Sequence, residues 1–384
     1  MVKRRNGKLT FLRGACLVAI GFGVNAAWSA EPTASETDWS QFRGNMHLTG
    51  IARSDLPKKL EELWSFDTKE PIESTAAIVG DRVFVGTSDG HLFAIDLNTG
   101  KPVWNVFTGE YVGVRSSPTV HEGVVYFGDD DGILHAVNAQ DGKEVWRFAT
   151  EGEIASSAIC WKDRVLFGSY DSYLYCVSIK EGKLLWKALT EGRVHATPGV
   201  VEGWCFIAGC DGLLRTIDVQ SGKPMSKVSL DAYAGASAAI FGDFVYVGTF
   251  GNQVLGIDWR KGEVDWVYEH EKRSFPFYAS AAVTDAWVIV GGRDKMVHGL
   301  DRKSGKAKWT FTTKGRVDSS AVIVGDRIYV GSSDGVLYAL GLGDGKETWR
   351  FDTGSSISAS PAVGRGRLVF GTEDGVIYCF GAKK

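Results

Sequence analysis

Apolar residues along most of this chain come in short runs separated by turn residues, not at helical spacing. In residues 74–104, Ser74-Thr75-Ala76-Ala77-Ile78-Val79 leads through Gly80 to Val83-Phe84-Val85. Asp89-Gly90 then precedes Leu92-Phe93-Ala94-Ile95, and Gly100-Lys101 precedes Pro102-Val103-Trp104. Each run has the length of a strand, and the three-and-four spacing of a helical solenoid is missing. Asp-Gly suits a tight hairpin because glycine tolerates positive φ. The pattern predicts four consecutive strands.

The pattern then restarts. A glycine closing the second strand recurs at Gly86, Gly128, Gly168, Gly209, Gly248, Gly291, Gly331 and Gly371, in steps of 42, 40, 41, 39, 43, 40 and 40. Four antiparallel strands at this period predict an all-β fold, an eight-bladed β-propeller of four-stranded antiparallel blades. Eight innermost strands crowd one axis and need small side chains, as in Ser116-Ser117, Ser156-Ser157, Ala236-Ser237, Ala279-Ser280 and Ser319-Ser320. Pro118, Pro198 and Pro361 in the same runs call for a strand with one unpaired edge. The eighth copy stops at Phe380-Gly381-Ala382-Lys383-Lys384, before a fourth strand, while Leu63-Trp64-Ser65-Phe66 lacks a blade of its own. That N-terminal strand is expected to complete the last blade and close the ring, removing two open edges.

Composition adds the compartment. Residues 1–30 hold Lys3, Arg4, Arg5, Lys8 and Arg13, no acidic residue, and an apolar stretch from Ala15 to Ala27 ahead of small residues. They read as a secretory signal peptide, followed by a leader at 31–60 and the propeller at 61–384. Export to the periplasm or cell envelope is expected, with no membrane span in the mature chain. Removing those five basic residues from 43 leaves 38 against 46 acidic ones, so the body is acidic. It does not suit a phosphate backbone, so no nucleic-acid partner is expected. Cys160, Cys176, Cys205, Cys210 and Cys379 are odd in number and form no CxxC, which fits neither a disulfide framework nor a zinc site. Cys205 and Cys210 fall in one predicted strand. The seven histidines show no HxH or HExxH spacing, and no GxSxG or phosphate loop occurs.

The last turn and strand of each copy carry a motif. Ala94, Asp96, Gly100, Lys101 and Trp104 fit A-x-D-x-x-x-G-K-x-x-W, and Ala136, Gly142, Lys143 and Trp146 repeat it with Asn138 for Asp. Gly182-Lys183 leads to Trp186, Gly262-Glu263 to Trp266, Gly305-Lys306 to Trp309 and Gly345-Lys346 to Trp349. The orphan strand supplies Trp64, and the fourth copy has Ser226 instead. This resembles the tryptophan-docking motif of the pyrroloquinoline-quinone (PQQ) repeat family, over about residues 60–384. The seven Trp are read as packing residues between blades, and Ser226 predicts a looser seam. Asp38-Trp39-Ser40-Gln41-Phe42-Arg43-Gly44 looks like the leader of secreted propellers of that family.

The resemblance implies two kinds of member. Some are quinoprotein dehydrogenases that hold PQQ and Ca²⁺ on the ring axis. Others are non-catalytic scaffolds of the BamB type, in outer-membrane protein assembly. Short loops and the absence of adjacent cysteines favour a scaffold without catalytic residues, metal or cofactor, monomeric, with a protein partner in the envelope. Asp129-Asp130-Asp131 is the densest acidic group and sits in a turn. A dehydrogenase with PQQ and calcium is the alternative, and carbohydrate binding through Tyr278, Tyr111 and Phe250 is a third class.

Positions that differ between copies are free of the fold's demands. The residue before each small run is one: Glu73, Arg115, Ala155, His195, Gly235, Tyr278, Asp318 and Ser358. These should ring one mouth of the channel. The longest loop on that face, Tyr268 to Phe277, mixes charge with aromatics, and Arg273, Phe275 and Phe277 are expected to be exposed interface anchors.

Overall fold

The computed structural model describes residues 35–383; the signal segment expected at 1–30 lies outside the described residues. Thirty-two strands form eight four-stranded sheets. The first blade runs from the axis outward through Ala77–Val79, Arg82–Gly86, His91–Asp96 and Pro102–Phe107, and six more repeat that order. The eighth takes Ala362–Gly364, Arg367–Gly371 and Val376–Gly381 from the end of the chain, and its outer strand, Glu61–Asp67, from the start. Trp64 stands opposite Cys379, and Asp67 opposite Val376. The innermost strands of the first and eighth blades are neighbours, so the ring closes.

The glycine that closes each second strand has a steric cause. A Cβ on Gly86 would strike Val114; on Gly128, Ile154; on Gly168, Val194; on Gly291, Val317; on Gly331, Ile357; on Gly371, Ile72. Each striking residue belongs to the loop packed above the glycine, one place before the mouth position. On Gly248 that residue is Phe277. The expected rim anchor Phe277 is therefore corrected: it is 1% exposed and packs among Val288, Val290 and Tyr246. In the fourth blade the position belongs to Ala208, the last residue of strand Trp204–Ala208, and not to Gly209. Ala234 N–H reaches Gly209 O as Val114 N–H reaches Thr87 O. Where glycine has become alanine, the loop residue has shrunk to alanine. Cys210 accordingly lies beyond the strand that holds Cys205, and all five cysteines of the described residues are free.

The tryptophans stitch neighbouring blades. Nε1 of Trp64, Trp104, Trp146, Trp186, Trp266 and Trp309 donates to a carbonyl of the next blade at 2.8–3.2 Å. Each of these rings lies over the turn glycine there, from Gly100 to Gly345. Trp349 instead meets Phe380 edge-on, centroids 5.4 Å apart. At the Ser226 seam nothing covers Gly262. Trp259 leans in from the fifth blade and packs edge-on against Phe206 at 5.2 Å. The seam expected to be loose is filled from its other side.

The leader is part of the ring. Carbonyls of Trp39, Ser40, Met46, His47, Thr49 and Gly50 accept N–H bonds of 2.7–2.9 Å from Ile78, Val120, Val200, Ile240, Val283 and Ile323. Those donors hold one register in six innermost strands, on the unpaired edge that the prolines require. Thr37 O takes Arg365 N–H of the eighth blade at 3.0 Å. The leader thus caps one end of the channel, with Trp39, Arg43 and Leu48 fully buried.

Candidate functional site: a polar cup at the open channel mouth

Innermost strands enter from the mouth and run down to the leader, so residues at their start face an open cup. Its volume is about 430 Å³, and Phe42 of the leader forms part of its lining. All eight variable positions, from Glu73 to Ser358, line it. Arg273, Phe275 and Phe277 do not.

Two residues below each variable position stands a hydroxyl: Thr75, Ser117, Ser157, Thr197, Ser237, Ser280, Ser320 and Ser360, all lining the cup. Seven of these residues donate their backbone N–H to the next hydroxyl around the ring, at 2.9–3.1 Å. Small size alone explains a serine near the axis; the hoop explains why its hydroxyl recurs in every copy. That recurrence is visible in the sequence, but small size accounts for those residues equally well until the hoop is seen.

Above the hoop the mouth is asymmetric. Tyr170 OH lies 2.6 Å from His195 Nδ1, and Tyr278 OH lies 2.8 Å from Nε2. A neutral imidazole carries one N–H and one lone pair, so one tyrosine donates and the other accepts. Burial, with Arg115 adding to it, holds the His195 pKa below its usual value, which keeps the ring neutral. Burial raises Tyr170 to about 12, so it stays a phenol. Tyr278 reaches His195 across the fifth blade because that blade offers only Gly235; a Cβ there would crowd the Tyr278 ring.

The arginines are already paired. Arg115 grips Asp130 at 2.8–3.2 Å and approaches Glu153 at 3.5 Å. Arg293 bonds Asp318 at 2.9 and 3.2 Å, and Arg316 reaches the same carboxylate at 3.0 Å. Arg293 also lies 4.8 Å from the Tyr278 ring centre. Glu73 and Glu373 complete the lining; among the described residues neither lies within ion-pair distance of a cation, although Glu73 is near enough to act on Arg115 through space. Tyr170, Arg293 and Glu373 all sit two places past the second-strand glycine, in the Asp-Gly turn. That position also varies between copies, and the turn signal masked it.

Calcium wants six to eight oxygens. Among the described residues, no three His, Cys, Asp or Glu side chains converge as a metal group would need. Both Asp318 oxygens are held by arginine, Asp130 is turned to Arg115, and Asp129 is buried against His135 at 2.7 Å. These side chains do not fit a carboxylate-built calcium shell.

Comparison with known proteins places the chain. A family model described as "Outer membrane protein assembly factor BamB" matches residues 58–188, 158–275 and 269–384. The dehydrogenase subunit of the quinone alcohol dehydrogenase of Gluconobacter oxydans is 36% identical over 83 residues, 19% of this chain, which spans only 10% of that relative. BamB from Moraxella catarrhalis superposes with a TM-score of 0.70 at 21% identity, over 85% of this chain and 98% of that one. The quinohemoprotein alcohol dehydrogenase of Comamonas testosteroni gives 0.78 at 14% identity, over 91% and 82%. At these identities the structures share the fold.

Proposed function

From the chain's membership of the PQQ-repeat family described as outer membrane protein assembly factor BamB, we propose that it is a non-catalytic interaction scaffold of the cell envelope. Its placement in the periplasm, with outer-membrane assembly as its setting, rests on that relation and on the signal-like segment 1–30. Among the described residues, no helix is long and apolar enough to cross a membrane.

The observation that carries the reading is the rim of the mouth face. Tyr111 is 94% exposed, Tyr233 65% and Phe275 50%, on the loops that bring each blade's outer strand back to the next inner one. Arg273 braces the loop of Phe275, donating to Asp294 O at 2.6 Å. Exposed aromatics beside arginine are the composition of interface anchors. The mouth's arginines are meanwhile held by the carboxylates of Asp130, Glu153 and Asp318, which suits a rigid platform better than a reaction centre.

The test has two arms. Crosslinking in envelope fractions should give a defined partner with the wild-type chain and lose it in the combined variant Tyr233→Ala, Phe275→Ala, at unchanged melting temperature. Partner capture that survives these changes moves the interface elsewhere. Titration with PQQ and Ca²⁺, followed by dye-linked alcohol oxidation, should give no turnover; turnover would make the mouth an active site.

A further inference from the structure

We propose that the cup takes the single carboxylate of a small ligand, seated on the hydroxyl hoop above Arg43. The proposal concerns the cup alone and stands or falls apart from protein docking on the rim.

Among the described residues, Arg43 is a cation without a counter-ion. It is wholly buried, one nitrogen donates to Ala281 O at 3.1 Å, and its Nε and Nη1 have no partner. Burial brings its pKa down to about 9, with no carboxylate opposing the fall, so at neutral pH the charge remains. A buried charge of this kind is costly unless something compensates it. Its place is informative: Arg43 follows Phe42 of the cup lining, and Ala281 follows Ser280 of the hoop. The uncompensated charge therefore lies just beneath the hoop, where low dielectric carries its field upward into the cup.

The hoop supplies the contacts. In seven of its links a hydroxyl oxygen accepts a neighbour's N–H. For Ser117, Ser237, Ser280, Ser320 and Ser360 no protein acceptor takes the hydroxyl proton among the described residues, which leaves it for the cup. Convergent O–H donors over a buried cation suit a carboxylate. Glu73 and Glu373 set the limit. They stand one layer above the hoop, in no direct ion pair among the described residues, and a second negative charge on the ligand would meet them. The volume of about 430 Å³ suits a free monocarboxylic acid or the last residues of a peptide, which present the same chemistry.

Calorimetry on the full chain tests this with N-acetyltriglycine, its C-terminal amide, lactate and citrate. The peptide acid or lactate should bind, and which of the two does so names the source. The amide should be at least about tenfold weaker, the scale of one hydrogen bond to a charged group, and citrate should bind more weakly than the monoacid. Ser280→Ala with Ser320→Ala should weaken the acid about tenfold. Because those hydroxyls also join blades, a second variant, Glu73→Gln with Glu373→Gln, touches neither hoop nor core and should admit citrate. Equal binding of acid and amide, or no binding of either acid at millimolar concentration, overturns the proposal. Tight citrate binding by the wild type overturns its single-charge limit.

Discussion

The two ends of this channel are closed and opened by different parts of the chain. At the leader end, six innermost strands give the same backbone N–H to one passing segment, which is held in place by the buried Trp39, Arg43 and Leu48. At the mouth the backbone hoop is equally regular, but everything above it is set by side chains that differ from blade to blade. One end therefore belongs to the fold and tolerates little change. The other is free to vary, which is where recognition can be built.

The largest break in that contrast should come from removing residues 35–53. Six buried backbone bonds at about 1 kcal/mol each, with the burial of Trp39, approach the whole stability of an ordinary domain. Loss of cooperative melting is expected, with rapid amide exchange at Ile78, Val120, Val200, Ile240, Val283 and Ile323. Trp39→Ala alone should cost about 3–5 kcal/mol by denaturant midpoint. At the mouth, Tyr278→Phe removes one hydroxyl from the His195 pair and should cost only about 1 kcal/mol. Ala155→Ser, on the same ring without a partner to lose, should stay within about 0.5 kcal/mol. A mouth substitution as damaging as Trp39→Ala would show that the mouth, too, is structural.

The smallest effect is on pH. His195 has its folded pKa held below the usual histidine value by burial and then by Arg115, so the unfolded chain takes up the proton more readily. Its contribution to stability is fully present above about pH 6.5 and is lost as pH falls through the lower folded value. His47 of the leader is lowered by burial as well and acts with the same sign. His195→Gln should therefore flatten the acid slope in part, and His195→Gln with His47→Gln further. An unchanged slope in the double variant would place the acid sensitivity elsewhere.

Much of the fold was legible because a propeller writes its constraints once per blade. The second-strand glycine and the docking tryptophan recur at one period, in seven of eight copies each, and the last blade takes its fourth strand from the start of the chain as expected. The misreadings came where one copy departs from the others. Phe277 looked like a surface anchor beside Phe275, yet its register with Val114, Ile154 and Val317 makes it the cover of Gly248. Gly209 looked like a member of the glycine series because Ala208 had taken the true position. The mouth ring was legible for the same reason in reverse, since Glu73, Arg115, His195 and Tyr278 vary at a fixed place.

By itself the sequence determined the blade number, the strand order within each blade and which residues would face the channel. These follow from local alternation and a period, which any one copy displays. Tertiary structure alone decided that Tyr278 crosses Gly235 to meet His195, that Arg293 and Arg316 share Asp318, and that Arg43, bonded to Ala281 O, meets no carboxylate among the described residues. Those contacts join residues from different blades and from the leader. Their partners are chosen by distance across the closed ring, which no single repeat contains.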